Sequence, residues 1–332
     1  MKNFFKILFI LLVHVILFVG ISYTYRKFEV PIDDISISIS KKFENEIIVK
    51  FYTAYYKSLM LKNQLLELKA NGIEDRNVIT NLLKTTLIGD NDLFGVWTVW
   101  EKNKFDGKDN LYKNSKPYHD NTGRFIPYWN RGKGNNTLAL EPCVDYDAEG
   151  KQGYYYLKPK ETKSFYITEP TTYNITGRKI TVVSYCMPII KDTTFYGVVG
   201  IDHSLDFLQD IINDIIKGGV GYSFIVDENG KIWIYPRKDF NGVQLSKLNP
   251  KLEEVEKKLL ERKLFVTNIS ELKNRERVMR YVYQPIILEK ICLFFVTAIP
   301  EDIVTDRYNK FRISLAAILV FSFILILIIK RY

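Results

Sequence analysis

The chain has 332 residues, 47% of them hydrophobic and 14% aromatic, with a formal charge of +9. It is too apolar and too aromatic to be disordered, and its basic residues are scattered rather than gathered in runs, which argues against a nucleic-acid partner. Cys143, Cys186 and Cys292 share no metal-ligand spacing, and His14, His119 and His203 are isolated, so no metal site is expected; the cysteines read as small buried residues.

The first element is an apolar run from Ile7 to about Tyr23, and a second runs from Ile313 to Ile329. Each is about 17 residues, roughly 25 Å as a helix, close to the thickness of a bilayer's hydrocarbon core. Lys2 and Lys6 precede the first run, but it is longer than a signal-peptide core and lacks a small-residue cleavage site, so a retained anchor is expected. Lys and Arg flank both runs on both sides, so charge does not set the orientation.

About 285 residues lie between the runs, enough for one large or two medium domains. From Ser40 to Ile88 the pattern is helical: Phe43, Ile47, Phe51, Ala54, Ser58, Leu61, Leu65 and Leu68 recur at steps of three and four. Asn71-Gly72 interrupts the stripe, a second helix is expected over 75–87, and Gly89–Asp92 marks a turn. From Leu93 the period falls to two, with strands predicted over 95–101, 179–190 and 195–202. SLDFLQDIINDIIKGG (204–219) predicts a helix ended by Gly218-Gly219.

A second strand-rich unit follows. GYSFIVDENGKIWIYP (221–236) reads as strand, turn, strand. A charged helix over 252–263 and strands near 264–268, 277–284 and 291–298 come next, and Pro300 opens a helix leading towards the second apolar run. The fold class is α+β, with two antiparallel sheets each covered by helices.

The densest cluster of chemistry is DNTGRFIPYWNR (120–131), followed by Gly153-Tyr154-Tyr155-Tyr156, EPTTYNITGR (169–178) and Gly200-Ile201-Asp202. Aromatic faces with arginines and one carboxylate suit a small polar ligand. From the residues alone, the same aromatics can equally be domain core and the charges surface pairs. Asp120, Glu141, Asp145 and Asp147 read as loop charges rather than a paired acid and base. No nucleophile elbow, zinc helix or phosphate-binding loop is present, so no enzyme activity and no cofactor are expected.

The order GRFIPYWNR, YYYLKPKET, ITEPTTYNITGRKI, MPII and FYGVVGIDHSLDFL resembles the double-Cache sensor domain of bacterial methyl-accepting chemotaxis receptors and related sensor kinases, over residues 30–311. That resemblance implies two PAS-like (Cache) units behind a long helix, with ligand bound in the membrane-distal one. It implies this plan: a cytoplasmic segment 1–6, a transmembrane helix 7–25, a helical stalk 26–92, a distal ligand-binding unit 93–219, a proximal unit 220–299, a connecting helix 300–312, a transmembrane helix 313–329 and a cytoplasmic tail 330–332. The implied role is an extracytoplasmic small-molecule sensor of a two-pass receptor in the bacterial cell membrane. The alternatives are the sensor of a histidine kinase or diguanylate cyclase, or a membrane-tethered structural or adhesion module. A homodimer through the long helix is implied, and full-length chemoreceptors are candidate partners. With only Lys330, Arg331 and Tyr332 after the second run, the sequence reads as a sensing half without its output part.

In the amino-acid-binding branch of that family an arginine clamps the ligand carboxylate, and Ile126 stands in its place; Tyr128-Trp129 inverts the usual aromatic pair, and Thr171 and Tyr173 stand where Tyr and Asp are expected. Asp202 matches the family's ligand-binding Asp. The candidate ligand-binding residues are therefore Tyr128, Trp129, Arg131, Tyr154, Tyr156, Tyr173 and Asp202, with Arg124 or Arg131 available to replace the missing arginine. The expected ligand is a purine-like heterocycle, an amine or an amino acid.

Overall fold

The structure is a computed structural model that describes residues 32–115, 117–134, 137–217, 221–270 and 278–306, with five isolated positions between 313 and 324. Both apolar runs lie almost wholly outside these residues, and no described helix is long and apolar enough to cross a membrane. The chain divides into two compact units: Phe43–Phe265 with Tyr283–Thr297, and a smaller one formed by the terminal segments with Val266–Val282.

Helix α1, Ile32–Ala70, opens with Asp33 and Asp34 and closes with Lys69, charges that suit the two ends of its dipole. Ile47, Phe51, Ala54, Leu61 and Leu65 form its buried face, the stripe expected from the sequence. Helix α2, Arg76–Ile88, is capped by Asp75, whose carboxylate accepts from the backbone N–H of Asn77 at 2.7 Å. It buries Ile79, Leu83 and Leu87, one residue per turn.

The first sheet contains β1 (Gly95–Trp100), β2 (Pro127–Asn130), β3 (Ala139–Pro142), β4 (Tyr166–Ile167), β5 (Thr171–Ile175), β6 (Arg178–Lys191) and β7 (Thr194–Ser204). Its order is β3-β2-β1-β7-β6-β4, with β5 also on β6, and these pairs are antiparallel. Alternation along the strands splits the side chains between two faces. Val96, Trp100, Tyr185, Val199 and Ile201 face α1 and α2 in one core. Trp97, Val99, Tyr128, Cys186 and Val198 belong to a second cluster on the other face. There the sheet is covered by α3, Tyr154–Thr162. The sequence pattern did not predict this helix: it contains Pro159 and has almost no apolar periodicity.

Helix α4, Leu205–Lys217, leads from β7 towards the second sheet: β8 (Tyr222–Asp227), β9 (Ile232–Ile234), β10 (Phe265–Ser270), β11 (Val278–Leu288) and β12 (Ile291–Pro300), in the order β10-β11-β12-β8-β9. The expected charged helix is a short one, α6, Glu253–Leu259, preceded by a single turn, α5, Leu245–Leu248. Ile225, Ile234, Ile286 and Phe295 join Leu208 and Ile212 of α4 in the core that also holds the helix face of the first sheet. In the smaller unit, the Arg280 guanidinium donates to Asp33 at 2.9 Å and to Glu301 at 2.8 Å.

The long β1–β2 connection is fixed by Arg76, whose guanidinium donates twice to Asp106 and once to Asp109, each at 2.8 Å, and lies 4.0 Å from the Tyr112 ring centre. Buried charges in this fold are thus paired where they serve structure. All three cysteines are buried and free, in keeping with their reading as small core residues.

Candidate functional site

The face of the first sheet turned away from α1 carries a cleft with about 420 Å³ of space between atoms, its open mouth included. Strand register builds its floor. Glu141, Tyr128, Trp97, Gly200 and Cys186 form one row across β3, β2, β1, β7 and β6. Asn130, Gly95, Asp202 and Ser184 form the next row on the same face. Two glycines make the floor flat. A Cβ on Gly200 would lie 2.1 Å from Cζ2 of Trp97, and one on Gly95 would lie 2.4 Å from Cε2 of Tyr128. Each ring therefore rests on bare backbone, one on either side of Asp202.

Asp202 is 3% exposed, and its Oδ1 accepts from Trp97 Nε1 at 2.9 Å. Burial pushes its pKa up to about 6, against the opposing pull of hydrogen bonds from Trp97 and Ser184 and of the Tyr128 hydroxyl turned towards it. Burial, then the nearby Asp202 charge, raises the Tyr128 phenol well above its usual range. The Tyr128 hydroxyl is buried and completes no well-formed hydrogen bond. Tyr155 of α3 and Tyr173 of β5 make the wall. The Tyr155 ring stands edge-on to Trp97 at 4.9 Å and to Tyr173 at 5.9 Å, and the two hydroxyls donate to the carbonyls of Val144 and Gln152. Cys143 also lines the cleft, and burial raises its thiol well above its usual range, so it is a neutral group there. Glu141 sits at the edge and is raised by burial, opposed by hydrogen bonds from the Thr176 N–H and Asn130 and by the Lys133 charge. Among the described residues, no lysine or arginine lines the cleft.

Of the residues singled out in the sequence, Tyr128, Tyr173 and Asp202 line this cleft. Trp129 lies on the helix side, because neighbours in a strand point to opposite faces; its Nε1 donates to the Thr80 carbonyl at 2.9 Å. Arg131 donates to the carbonyls of Leu87 at 2.8 Å and Leu93 at 3.0 Å, closing the C-terminal end of α2. Arg124 is also engaged elsewhere, donating to the Trp100 carbonyl and the Tyr156 hydroxyl at 2.8 and 2.7 Å. Neither arginine lines the cleft, so neither replaces the missing clamp. Tyr154, Tyr155 and Tyr156 begin α3, where successive side chains diverge by about 100°. Only Tyr155 faces the cleft; Tyr156 is buried against Arg124 and Glu101, and Tyr154 lies under Lys158. Trp97 and Ser184 were not singled out by the sequence pattern, and Tyr155 and Glu141 were named there without being taken as ligand contacts. Their common signal is register with Asp202, which only strand pairing reveals.

Residues 79–210, which include the whole cleft, match the family described as "Methyl-accepting chemotaxis protein-like, first PDC sensor domain". The methyl-accepting chemotaxis protein TlpQ of Pseudomonas aeruginosa is 26% identical over 183 residues, 52% of this chain and 26% of that protein. McpG of Pseudomonas putida is 32% identical over 125 residues, 36% of this chain and 19% of that protein. The chain thus spans about a quarter or less of the length of these relatives. The crystal structure of an extracellular domain assigned to a histidine kinase, mmHK1S-Z2, superposes with a TM-score of 0.69 at 27% identity, covering 82% of this chain and 99% of that one. The fold is that of an extracytoplasmic sensor domain built from two sheet modules. Within that class, residues 79–210 are similar to the first sensor domain of chemotaxis receptors.

Proposed function

We propose that this chain is the extracytoplasmic ligand-sensing part of a two-pass receptor in the bacterial cell membrane, and that it binds a small cationic amine in the cleft around Asp202. One observation carries the ligand class: a buried carboxylate lies on an aromatic floor, and among the described residues no lysine or arginine lines the cleft to neutralise it. A cation supplies that charge, and aromatic faces favour a cation over an anion. A free amino acid also brings a carboxylate, for which the cleft offers no cationic partner; the isoleucine at 126 agrees with this. The contact residues in this reading are Asp202, Trp97, Tyr128, Tyr155 and Tyr173. The site binds and releases its ligand without a chemical step.

The rest of the plan belongs to the same proposal. Helices 7–25 and 313–329 cross the membrane, 26–92 forms the stalk, 93–219 the distal ligand-binding unit and 220–299 the proximal one. Val49, Tyr56 and Met60 leave an exposed apolar stripe on α1, at steps of seven and four, and this stripe is the contact of a homodimer. The output is chemotaxis signalling. A histidine kinase output is the second reading, favoured by the likeness to the kinase-assigned extracellular domain.

Calorimetric titration of the full chain in detergent, with amines, amino acids and purines, tests the ligand class. An amine is expected to bind with one site per chain, and Asp202→Ala to abolish binding while the variant still melts cooperatively. Binding of a free amino acid or a purine alone, unaffected by Asp202→Ala, overturns the reading.

A further inference from the structure

We propose that the molecule has a second ligand site, a lysine-lined groove where the first sheet meets the β8–β9 hairpin, and that it takes a small polyanion, a phosphorylated or polycarboxylated molecule. The site is separate from the Asp202 cleft, and the proposal does not rest on the amine reading.

The groove holds about 1010 Å³ of space between atoms, its open mouth included, and shares no lining residue with the cleft. Its lining lies wholly within the larger unit. Four lysines line it against two carboxylates, Glu169 and Asp206. Lys151 precedes α3 and Lys179 lies on β6, whereas Lys231 and Lys238 flank β9 of the second sheet. Ligand sites combine an apolar backing with a few convergent polar groups, and here Ile180, Leu205 and Ile232 supply the backing.

Two of the ammonium groups converge on one point. Lys151 Nζ lies 2.6 Å from Glu169 Oε2, and Lys231 donates to the same oxygen. Burial would raise the Glu169 carboxyl, but hydrogen bonds from both lysines, and their charges, hold it below its ordinary value. Glu169 is thus a built-in anion, one negative charge shared by two cations. Asp206 pairs with Lys238 at 2.8 Å, but the two side chains are 82% and 65% exposed, so water screens this pair and it opens readily. Asp210 adds a weaker attraction for Lys238. Asp227, close enough to act on Glu169, already accepts from the Asn229 and Lys231 N–H groups and from Trp233 Nε1. Lys179 makes no ion pair among the described residues. Asn241 accepts from the Tyr235 N–H at 2.7 Å through Oδ1, which leaves its Nδ2 donors without a partner among the described residues. Lysines from both sheets therefore outnumber the carboxylates they surround. Ammonium groups on flexible stems suit charge spread over a phosphoryl group or several carboxylates, whereas one planar carboxylate is better met by an arginine fork.

Calorimetry on the full chain in detergent decides it, with pyrophosphate and citrate as polyanions and acetate as the monoanion, all at one ionic strength because salt screens such contacts. Pyrophosphate or citrate is expected to saturate one site per chain while acetate does not; the tighter of the two tells a phosphorylated ligand from a polycarboxylate. Lys179→Gln should weaken binding about fivefold, the factor of one exposed charge contact. Lys102→Gln removes the same charge from an exposed position outside the groove and should change nothing. Glu169→Gln frees Lys151 and Lys231 for the ligand and should tighten binding by a similar factor, an effect that a merely structural Glu169 would not produce. Asp202→Ala should leave polyanion affinity unaltered, which keeps this result apart from the amine reading. Absence of saturable binding by both polyanions, an equal loss in Lys179→Gln and Lys102→Gln, or weaker binding in Glu169→Gln overturns the proposal. Should Glu169→Gln lose its cooperative melt, the comparison of Lys179→Gln with Lys102→Gln decides alone, since Lys179→Gln breaks no ion pair among the described residues.

Discussion

Asp202 gives the cleft a pH dependence whose sign and size follow from its position. Its pKa is raised by burial from 3.8 to about 6, so a cationic ligand meets an ionised partner at neutral pH and a protonated one in acid. If the ligand binds only the ionised form, affinity follows the ionised fraction. That fraction is nearly complete at about pH 7.5 and about one tenth at about pH 5, so affinity should fall roughly tenfold across the interval. Stability without ligand moves the opposite way. A carboxylate whose folded pKa lies above its unfolded value costs stability when ionised, and that cost disappears as pH falls through about 6 towards 3.8. The shift corresponds to about 3 kcal/mol. Asp202→Asn should therefore melt higher than the unaltered chain at neutral pH, with the gap closing near about pH 4. His203 is adjacent, but burial lowers its pKa to about 4, below this window. Glu141, raised by burial, acts in the same direction as Asp202, so the Asp202→Asn comparison isolates the Asp202 share. Calorimetry gives the affinities and differential scanning calorimetry the melting points. Ligand affinity unchanged between the two pH values, or an Asn variant that melts lower at neutral pH, would refute the reasoning.

Gly200→Ala places a methyl 2.1 Å from Cζ2 of Trp97, against a ring that carries the hydrogen bond to Asp202. It should cost about 1–3 kcal/mol by overpacking and remove ligand binding; a lowered melting point with unaltered affinity would show that the Trp97 ring is not part of the floor. Tyr56 and Met60 are 57% and 60% exposed on α1. Replacing both with Glu should convert a dimer to a monomer in sedimentation equilibrium, and an unchanged mass would place the dimer contact elsewhere.

The sequence was most legible where one period ruled. The stripe Ile47, Phe51, Ala54, Leu61 and Leu65 foretold the buried face of α1, and the helix expected over 75–87 is α2. The strands at 95–100, 178–191 and 194–204 followed from alternation bounded by turns. Asp202 was legible because it ends such a strand beside a glycine. Its partners were not. Tyr128 and Trp129 look equivalent in sequence, yet register with Trp97 sends one into the cleft and leaves the other to hydrogen-bond α2. The three tyrosines at 154–156 look like one aromatic patch until α3 turns each to a different neighbour. Arg124 and Arg131 have the chemistry of a carboxylate clamp, but carbonyls and a tyrosine hydroxyl already use their donors. Glu141 resembled any loop acid, since nothing local shows that it shares a row with Tyr128 and Trp97.

The same strand that presents Asp202 to the cleft presents its neighbours to the core. His203 is 1% exposed on the opposite face, edge-on to Tyr185 at 5.4 Å and beside Phe207. Ser204 follows and accepts from the Phe207 N–H at 3.2 Å, opening α4, whose Leu208 and Ile212 share a core with Ile225 of β8. A ligand redistributes receptor states only through contacts that differ in energy between them. Here the contact residue and the helix start are joined by consecutive backbone, and α4 packs on β8 of the second sheet through Leu208, Ile212 and Ile225. Protein interiors pack too densely for one strand to slide alone. A shift of β7 at Asp202 is therefore borne by His203 against Tyr185, which packs edge-on to Phe51 of α1, and by α4 against β8.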